Sequence, residues 1–386
     1  MASGQPTLPH ARKTFYLSPM STPFEIYLVA TPGLEAPLCD EARAAGFDAR
    51  VTDGGVAFMG SWPDVWRANL ALRGATRVLA RVASFRAMHL AQLDKRARKV
   101  EWASLLRPDV TVTVEASCKR SRIYHAGAAS QRVAKAISEE LGAPVAEDAA
   151  LRVMVRIEDD LVTISLDTTG ESLHKRGFKE GVAKAPMRET MAAMFLRQCG
   201  YDGTQTVLDP MCGSGTFVIE AAEIALGLKP GRSRAFAFEH LPSFNRKAWD
   251  AMRAPAPLRE TTLRFYGSDR DPGAIRMARE NAERAGVSHV MQFEQQSIET
   301  LSPPNGPAGL IIINPPYGTR IGNKAPLLGL YRTMGSVIRA KFAGWHVGIV
   351  TTDKDLAKAT GLGLELVEPT VLHGGLRVGL WRRKQP

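Results

Sequence analysis

Apolar and polar positions alternate along this chain in two distinct styles. Residues 24–31, FEIYLVAT, read as a strand, and LEAPLCDEARAAGF follows with helical spacing that stops at Gly46. VTDGGVAFMG reads as a hairpin around Asp53-Gly54-Gly55. VWRANLALRGATRVLARVASF predicts a helix and then a strand. VTVTVEASCKRSRIYH opens with the strict alternation of a half-buried strand. It runs into Lys119, Arg120, Arg122, Tyr124 and His125, and a helix follows over Gly127–Leu141. LRVMVRIEDDLVTISLDTTG reads as a β-hairpin turning at Asp159-Asp160. This first stretch is α+β, and a boundary is expected near Gly170–Gly181, rich in glycine and charge.

From about Ala185 the pattern becomes alternating strands and helices. The strands are TVLDP, LRFYGSD, MQFEQQS, LIIINPP and HVGIVTT, with helices at Gly215–Leu228, Asp271–Ala285 and Pro326–Phe342. Such alternation implies a parallel sheet covered on both faces. LGLELVEPTVLHGGLRVGLWRRK closes the chain differently, as an antiparallel hairpin turning at His373-Gly374-Gly375. No long internal repeat and no low-complexity tract interrupts this order.

Composition narrows the class. The 386 residues allow two or three domains, and 45% apolar content with 23% charged is ordinary globular usage. No apolar run is long enough for a membrane span, and MASGQPTLPHARKTF has no signal-peptide core. Residues 1–23 read as a flexible arm. Cys39, Cys118, Cys199 and Cys212 make no metal-ligand spacing, so no metal is expected. They read as reduced thiols of a cytoplasmic protein, Cys212 as a packing residue rather than a nucleophile. The net charge of +11 favours a polyanionic partner. Between Arg81 and Lys135, twelve Lys/Arg face four Asp/Glu. His174, Lys175 and Arg176 stand either as phosphate contacts or as a solvated linker run.

Three strand ends carry the candidate chemistry. DPMCGSGTF puts Gly213 and Gly215 in a turn where backbone can pass close to a ligand at a strand's carboxyl end. Asp269 ends the next strand, where an acid can accept from both hydroxyls of a ribose. Asp271 is the expected N-cap of the following helix, with Pro272 in its first turn. Asp209 either holds the glycine turn or meets a positive ligand group. Its charge disfavours a pyrophosphate there and suits a sulfonium cofactor.

The third end is LIIINPPYG. An exocyclic amine on a nucleobase is a poor nucleophile because its lone pair is delocalised into the ring. Acceptors aimed at its two N–H bonds favour localising that pair. The Asn314 side-chain oxygen and the Pro315 carbonyl can supply them. Pro315 and Pro316 limit wobble of the loop. Tyr317 offers a face on which a base can stack, worth about 1–3 kcal/mol.

Together DPMCGSGTFVIEAA, YGSDRDPGAI and INPPYGTRIG resemble the THUMP-containing class I RNA methyltransferases that make N2-methylguanosine. SLHKRGFKEGVAKAPMRETMAA and the basic CKRSRIYHAGAASQRVAKAI strengthen the likeness, which covers about residues 24–383. The chain is similar to the N-terminal methyltransferase part of the bacterial 23S rRNA guanine-N2 methyltransferases. The resemblance implies an α/β fold: a Rossmann-like class I methyltransferase domain with a seven-stranded sheet ending in an antiparallel hairpin. That domain (residues 171–386) would follow a ferredoxin-like part (24–65) and a THUMP RNA-binding part (66–170).

The resemblance also implies S-adenosyl-L-methionine as cofactor. The turn of Asp209, Pro210, Cys212, Gly213 and Gly215 would face its methionine part, Asp269 its ribose, and the segment around Pro186 would close the pocket. Asn314, Pro315, Pro316 and Tyr317 would hold the target amine, with Asn314 also lining the cofactor site. The family often has an acid after the third strand to accept from the adenine amino group. Here Ser297 holds that position, so Ser297, Gln296 or the main chain takes the contact. Lys119, Arg120, Arg122, Tyr124 and Arg132 are the RNA-binding candidates. The expected substrate is 23S rRNA, with tRNA as the closest rival. DNA adenine methylation and a catalytically inert RNA-binding assembly factor are the alternatives.

Overall fold

A computed structural model describes residues 15–16, 23–180, 187–317 and 324–383. The N-terminal elements are β1 (Phe15–Tyr16), β2 (Phe24–Val29), α1 (Glu35–Ala44), β3 (Arg50–Thr52), β4 (Gly55–Gly60), α2 (Trp62–Ala71) and β5 (Arg77–Arg86). They continue through α3 (Leu90–Ala97), α4 (Trp102–Leu105), β6 (Val112–Lys119), α5 (Ala126–Leu141), β7 (Leu151–Glu158) and β8 (Leu161–Asp167). All the strands join one sheet of order β3-β4-β2-β5-β8-β7-β6, with β1 paired to β5. The central β5 pairs β2 on one side and β8 on the other. The sheet therefore runs unbroken across the boundary expected at residues 65 and 66. Of the expected arm, Phe15–Tyr16 lie against Ser84 and Ala83; residues 1–14 and 17–22 fall outside the described residues.

Local chemistry sets these elements. Ser61 and Asp64 close a capping box at the start of α2, with the Ser61 N–H donating to Asp64 Oδ2 at 3.0 Å. The α5 helix buries Ala129, Val133, Ala136 and Ile137, one stripe at helical spacing, and ends on left-handed Gly142. His125, grouped above with the basic cluster, caps it by accepting from the Ala128 N–H at 3.0 Å. Asp159 and Asp160, at φ +50° and +60°, make the β7–β8 turn.

The second half holds α6 (Glu189–Gln198), β9 (Val207–Asp209), α7 (Thr216–Ala225), α8 (Arg246–Arg253), β10 (Phe265–Asp269), α9 (Pro272–Ala285), β11 (Met291–Gln295) and β12 (Leu310–Ile313). It ends with α10 (Lys324–Lys341), β13 (His346–Thr351), α11 (Lys354–Ala359), β14 (Leu364–His373) and β15 (Leu376–Arg383). The sheet order is β11-β10-β9-β12-β13-β15-β14. Pairs up to β13 are parallel, and β15 is antiparallel to both neighbours. Each residue of β12 is fully buried. Leu310 and Ile312 pack into the larger core with Phe217 of α7, Ile311 and Ile313 into a second core with Tyr331 and Met334 of α10. That alternation explains the unbroken apolar run.

The two halves are joined by buried charge. Arg73, just after α2, reaches Glu220 and Glu223 of α7 at 2.9 and 3.1 Å. Arg176 Nε donates to Glu220 Oε1 at 3.0 Å and its Nη2 to the Arg73 carbonyl at 2.9 Å. Arg232 also pairs with Glu223. This corrects the reading of Arg176 as a phosphate contact or a solvated residue: it is buried and fully engaged.

Candidate functional site

Strand order places the reactive groups. After β9 the chain passes to β10 on one side and later returns as β12 on the other. Such a switch point leaves a crevice at the carboxyl ends of the strands. Gly267 is level with Asp209, so Asp269 stands two residues beyond it. Ile311 is level with Leu208, which puts Asn314 two residues beyond Asp209 on the opposite side. Asp269 and Asn314 thus rise to equal height, two strand spacings or about 10 Å apart. The loop after β9 leans onto the end of β10, the Cys212 N–H donating to the Ser268 carbonyl at 2.9 Å.

That loop is built for close approach. Gly213 and Gly215 have φ of +53° and +85°, the left-handed region that favours glycine. A Cβ on Gly215 would stand 3.1 Å from Ile219 Cδ1 and 3.2 Å from Ala278 Cβ. The Asp269 carboxylate accepts from the Gly213 N–H and from the Asp271 N–H, each at 3.0 Å. Asp271 in turn caps α9, accepting from the Gly273 N–H at 2.8 Å, with Pro272 opening the helix as expected. Asp209 holds the turn, accepting from the Met211 N–H at 3.1 Å. Burial, with a smaller push from Asp269, raises its pKa to about 8. Cys212 is buried, and burial lifts its thiol well above the ordinary range, so it packs rather than attacks.

At the end of β12, the Asn314 side-chain oxygen is buried with no hydrogen-bond partner among the described residues. Pro315 is buried and Pro316 exposed. The Tyr331 hydroxyl donates to the Pro316 carbonyl at 3.4 Å, tying the loop to α10. Tyr317 is half-buried against both cores, and burial pushes its hydroxyl up to about 12. Beyond β11, the Gln296 N–H donates to the Asp269 carbonyl at 3.0 Å, while the Gln296 side chain donates to the Thr300 carbonyl at 3.1 Å. Ser297 begins a short 3-10 turn. Both residues flank the Asp269 strand end. Pro186 lies outside the described residues.

Several residues at the crevice were not singled out from sequence. Lys179 Nζ donates to Thr216 Oγ1 at 2.8 Å and pairs with buried Glu189 at 3.0 Å, strapping the start of α6 to the glycine turn. Asn281 Nδ2 donates to the Ser214 carbonyl at 3.1 Å. Gly267 leaves space for Phe293 and Cys212; a Cβ there would lie 2.7 and 3.1 Å from them. Only spatial proximity joins these residues to the turn, and spacing does not reveal it.

In the N-terminal half, Lys119 at the end of β6, Arg120, Arg122 and Tyr124 in the loop after it, and Arg132 on α5 are all exposed. Arg120 is committed to Asp159 and Glu158, at 3.0 and 2.8 Å. Lys119 and Arg122 make only longer pairs, at 3.4 and 3.9 Å. Two clefts of about 740 and 560 Å³ open where α7 ends, at the amino edge of the second sheet, away from the crevice. Among the described residues no group of three or more His, Cys, Asp or Glu is placed to hold a metal, and no helix is long and apolar enough to cross a membrane.

Comparison with known proteins adds the lineage of each part. Residues 176–375 match the family described as the RMKL-like methyltransferase domain. Residues 25–79 match the RlmL ferredoxin-like domain and residues 87–167 the THUMP domain. A protein of Syntrophotalea carbinolica named ribosomal RNA large subunit methyltransferase K/L is 35% identical over 364 residues, 89% of this chain and 51% of its own length. Its Vibrio campbellii namesake is 31% identical over 347 residues, 86% of this chain and 49% of its own. The chain thus spans about half the length of the curated relatives it matches. Among solved structures, SMU.472 complexed with SAH superposes with a TM-score of 0.85 at 28% identity, covering 94% of this chain and 98% of that one.

Proposed function

The chain belongs to the RMKL-like methyltransferase family, and on that footing we propose that it methylates the exocyclic N2 amine of a guanosine in RNA, 23S rRNA first. The observation that carries the reading is the orphaned Asn314 oxygen, level with Asp269 across the switch point. A buried acceptor without a partner is a place for a donor, and an exocyclic amine brings two N–H groups.

The crevice suits S-adenosylmethionine, the family's methyl donor. It supplies a methyl group on a positively charged sulfur. The bare turn at Gly213 and Gly215 admits backbone contact, and each Asp269 oxygen keeps a lone pair for a ribose hydroxyl after accepting one N–H. Gln296 and Ser297 flank the adenine end. The Asp269 carboxylate gives the crevice negative character that favours a cation over a pyrophosphate, while Asp209, held protonated by burial, serves the turn rather than the charge.

Asn314 Oδ1 and the Pro315 carbonyl accept the two amine N–H bonds and hold the nitrogen lone pair out of the base plane. Acceptors fixed before reaction favour the transition state over the flat ground state. Asn314 is an amide and takes no proton, so the one released on methylation passes to solvent. Tyr317, gripped by both cores, stacks on the base. Lys119, Arg122, Tyr124 and Arg132 hold the surrounding RNA through its backbone and unpaired bases. Such a protein works in the cytoplasm, where ribosomes assemble.

The experiment is methyl transfer from labelled S-adenosylmethionine to a 23S rRNA transcript, followed by nucleoside digestion. The reading expects label in N2-methylguanosine. Label in a methyladenosine, or transfer only to tRNA, overturns the corresponding part.

A further inference from the structure

The β14–β15 hairpin projects past the sheet on the catalytic side. Ile313 pairs with Ile349, and Val350 with Leu380, so Leu380 is level with Asn314. Leu376 lies four residues further out, about 13 Å beyond that level at ~3.3 Å per residue. The hairpin is braced from the N-terminal half: a Cβ at Gly33 would stand 2.8 Å from the Thr370 carbonyl oxygen. Burial, and after it the nearby Arg188 guanidinium, hold His373 below its ordinary pKa. Arg188 immediately precedes Glu189, whose partner Lys179 bonds Thr216 beside the glycine turn. The tip therefore rises from the same edge of the sheet as Asn314, two strand spacings or about 10 Å to its side, with Arg188 near His373.

Its composition is unusual for a solvated turn. Leu372 is 52% exposed and Leu376 40%. Leu372 pairs with Arg377, and His373 with Leu376. Opposed residues of an antiparallel pair share a face, so each face of the tip carries one leucine and one basic residue. Gly374 and Gly375, at φ +57° and +82°, make the turn itself, and a Cβ on either would meet nothing within 4 Å. The result is a thin blade with a leucine on each face, one cation, Arg377, and no acid between Thr370 and Arg377.

We infer that this tip, Leu372–Arg377, inserts into the base stack of the RNA substrate and fills the place the target nucleotide vacates. A base must leave its stack to reach Asn314 and Tyr317, at about a few kcal/mol. Apolar side chains placed between bases offset that unstacking, as Leu and Ile wedges do in bent duplexes. Arg377 and Arg188 meet the flanking phosphates. A protein partner would find little area on so narrow a tip. The inference rests on RNA being the substrate.

The test uses the full chain and a 23S rRNA transcript. The L372A/L376A variant is expected to lose at least tenfold in kcat/KM for the transcript, with S-adenosylmethionine affinity and unfolding temperature unchanged. L372M/L376M, which keeps the apolar bulk, should restore most of it. Leu376→p-benzoylphenylalanine should photo-crosslink within a few nucleotides of the methylated guanosine. Wild-type kinetics in L372A/L376A, or crosslinks to remote nucleotides or to protein alone, overturn the inference. If the wild-type chain transfers no methyl to any RNA, the proposed function fails first, and that control separates the two failures.

Discussion

Burying the Asn314 oxygen without a partner costs about 1–3 kcal/mol, which a donating amine returns. Asn314→Ala should therefore leave S-adenosylmethionine affinity nearly intact by titration calorimetry while turnover on RNA falls about 100- to 1,000-fold. Near-normal turnover would remove Asn314 from the amine. Asp269 works on the other side of the crevice. Its loss forfeits charge-assisted hydrogen bonds of about 1.5–3 kcal/mol, so Asp269→Ala should weaken the cofactor at least about tenfold in the same titration. Asp209 carries a pH signature. Burial raises its pKa from 3.8 to about 8, so the folded chain holds that proton more tightly than the unfolded one. The stabilisation is complete below 3.8 and is lost as pH rises through 8. The unfolding temperature of the cofactor-free protein should fall from pH 5 to pH 8, and Asp209→Asn should flatten that fall; equal slopes would contradict it. Asp209, Asp269 and Asn314 were legible in the sequence because each ends a strand. Lys179, Glu189 and Asn281 were not, because their partners lie far along the chain.

Elements with one strong period could be read directly. The β12 run, the β7–β8 turn and α5 all have the residues their geometry demands. Five helices escaped for physical reasons, α4 because it is a single turn of four residues. Nearly all of α6 is buried, so it has no polar face and no amphipathic period. The α3 helix buries only Leu93 and Ala97, and α8 only Trp249, too little for a stripe. The α11 helix is six residues long. The Arg73–Glu220–Arg176 cluster was equally hidden, since it joins segments over 100 residues apart. Burial alone would raise the Glu220 pKa, yet Arg176 and Arg73 bring it below its ordinary value. Removing one member strands a buried charge, so Arg73→Ala should cost about 3–5 kcal/mol in denaturant unfolding. A loss under about 1 kcal/mol would mean the cluster is solvated in solution.

Across the whole molecule, one buried joint links the half that carries the basic residues to the half that carries the crevice. RNA gripped by Lys119, Arg122 and Arg132 would then be presented to Asn314. Replacing these three by alanine should weaken RNA binding and lower the slope of log affinity against log salt by about 2–3, each phosphate contact contributing roughly 0.7–0.9. Arg120 is already paired with acids, and its replacement should change the slope least. The most direct measurement is mass spectrometry of nucleosides from a 23S rRNA transcript incubated with S-adenosylmethionine and either wild type or Asn314→Ala. The crevice described here predicts N2-methylguanosine with the wild type and nearly none with the variant. Equal amounts from both proteins, or methylation confined to adenosine, would contradict it.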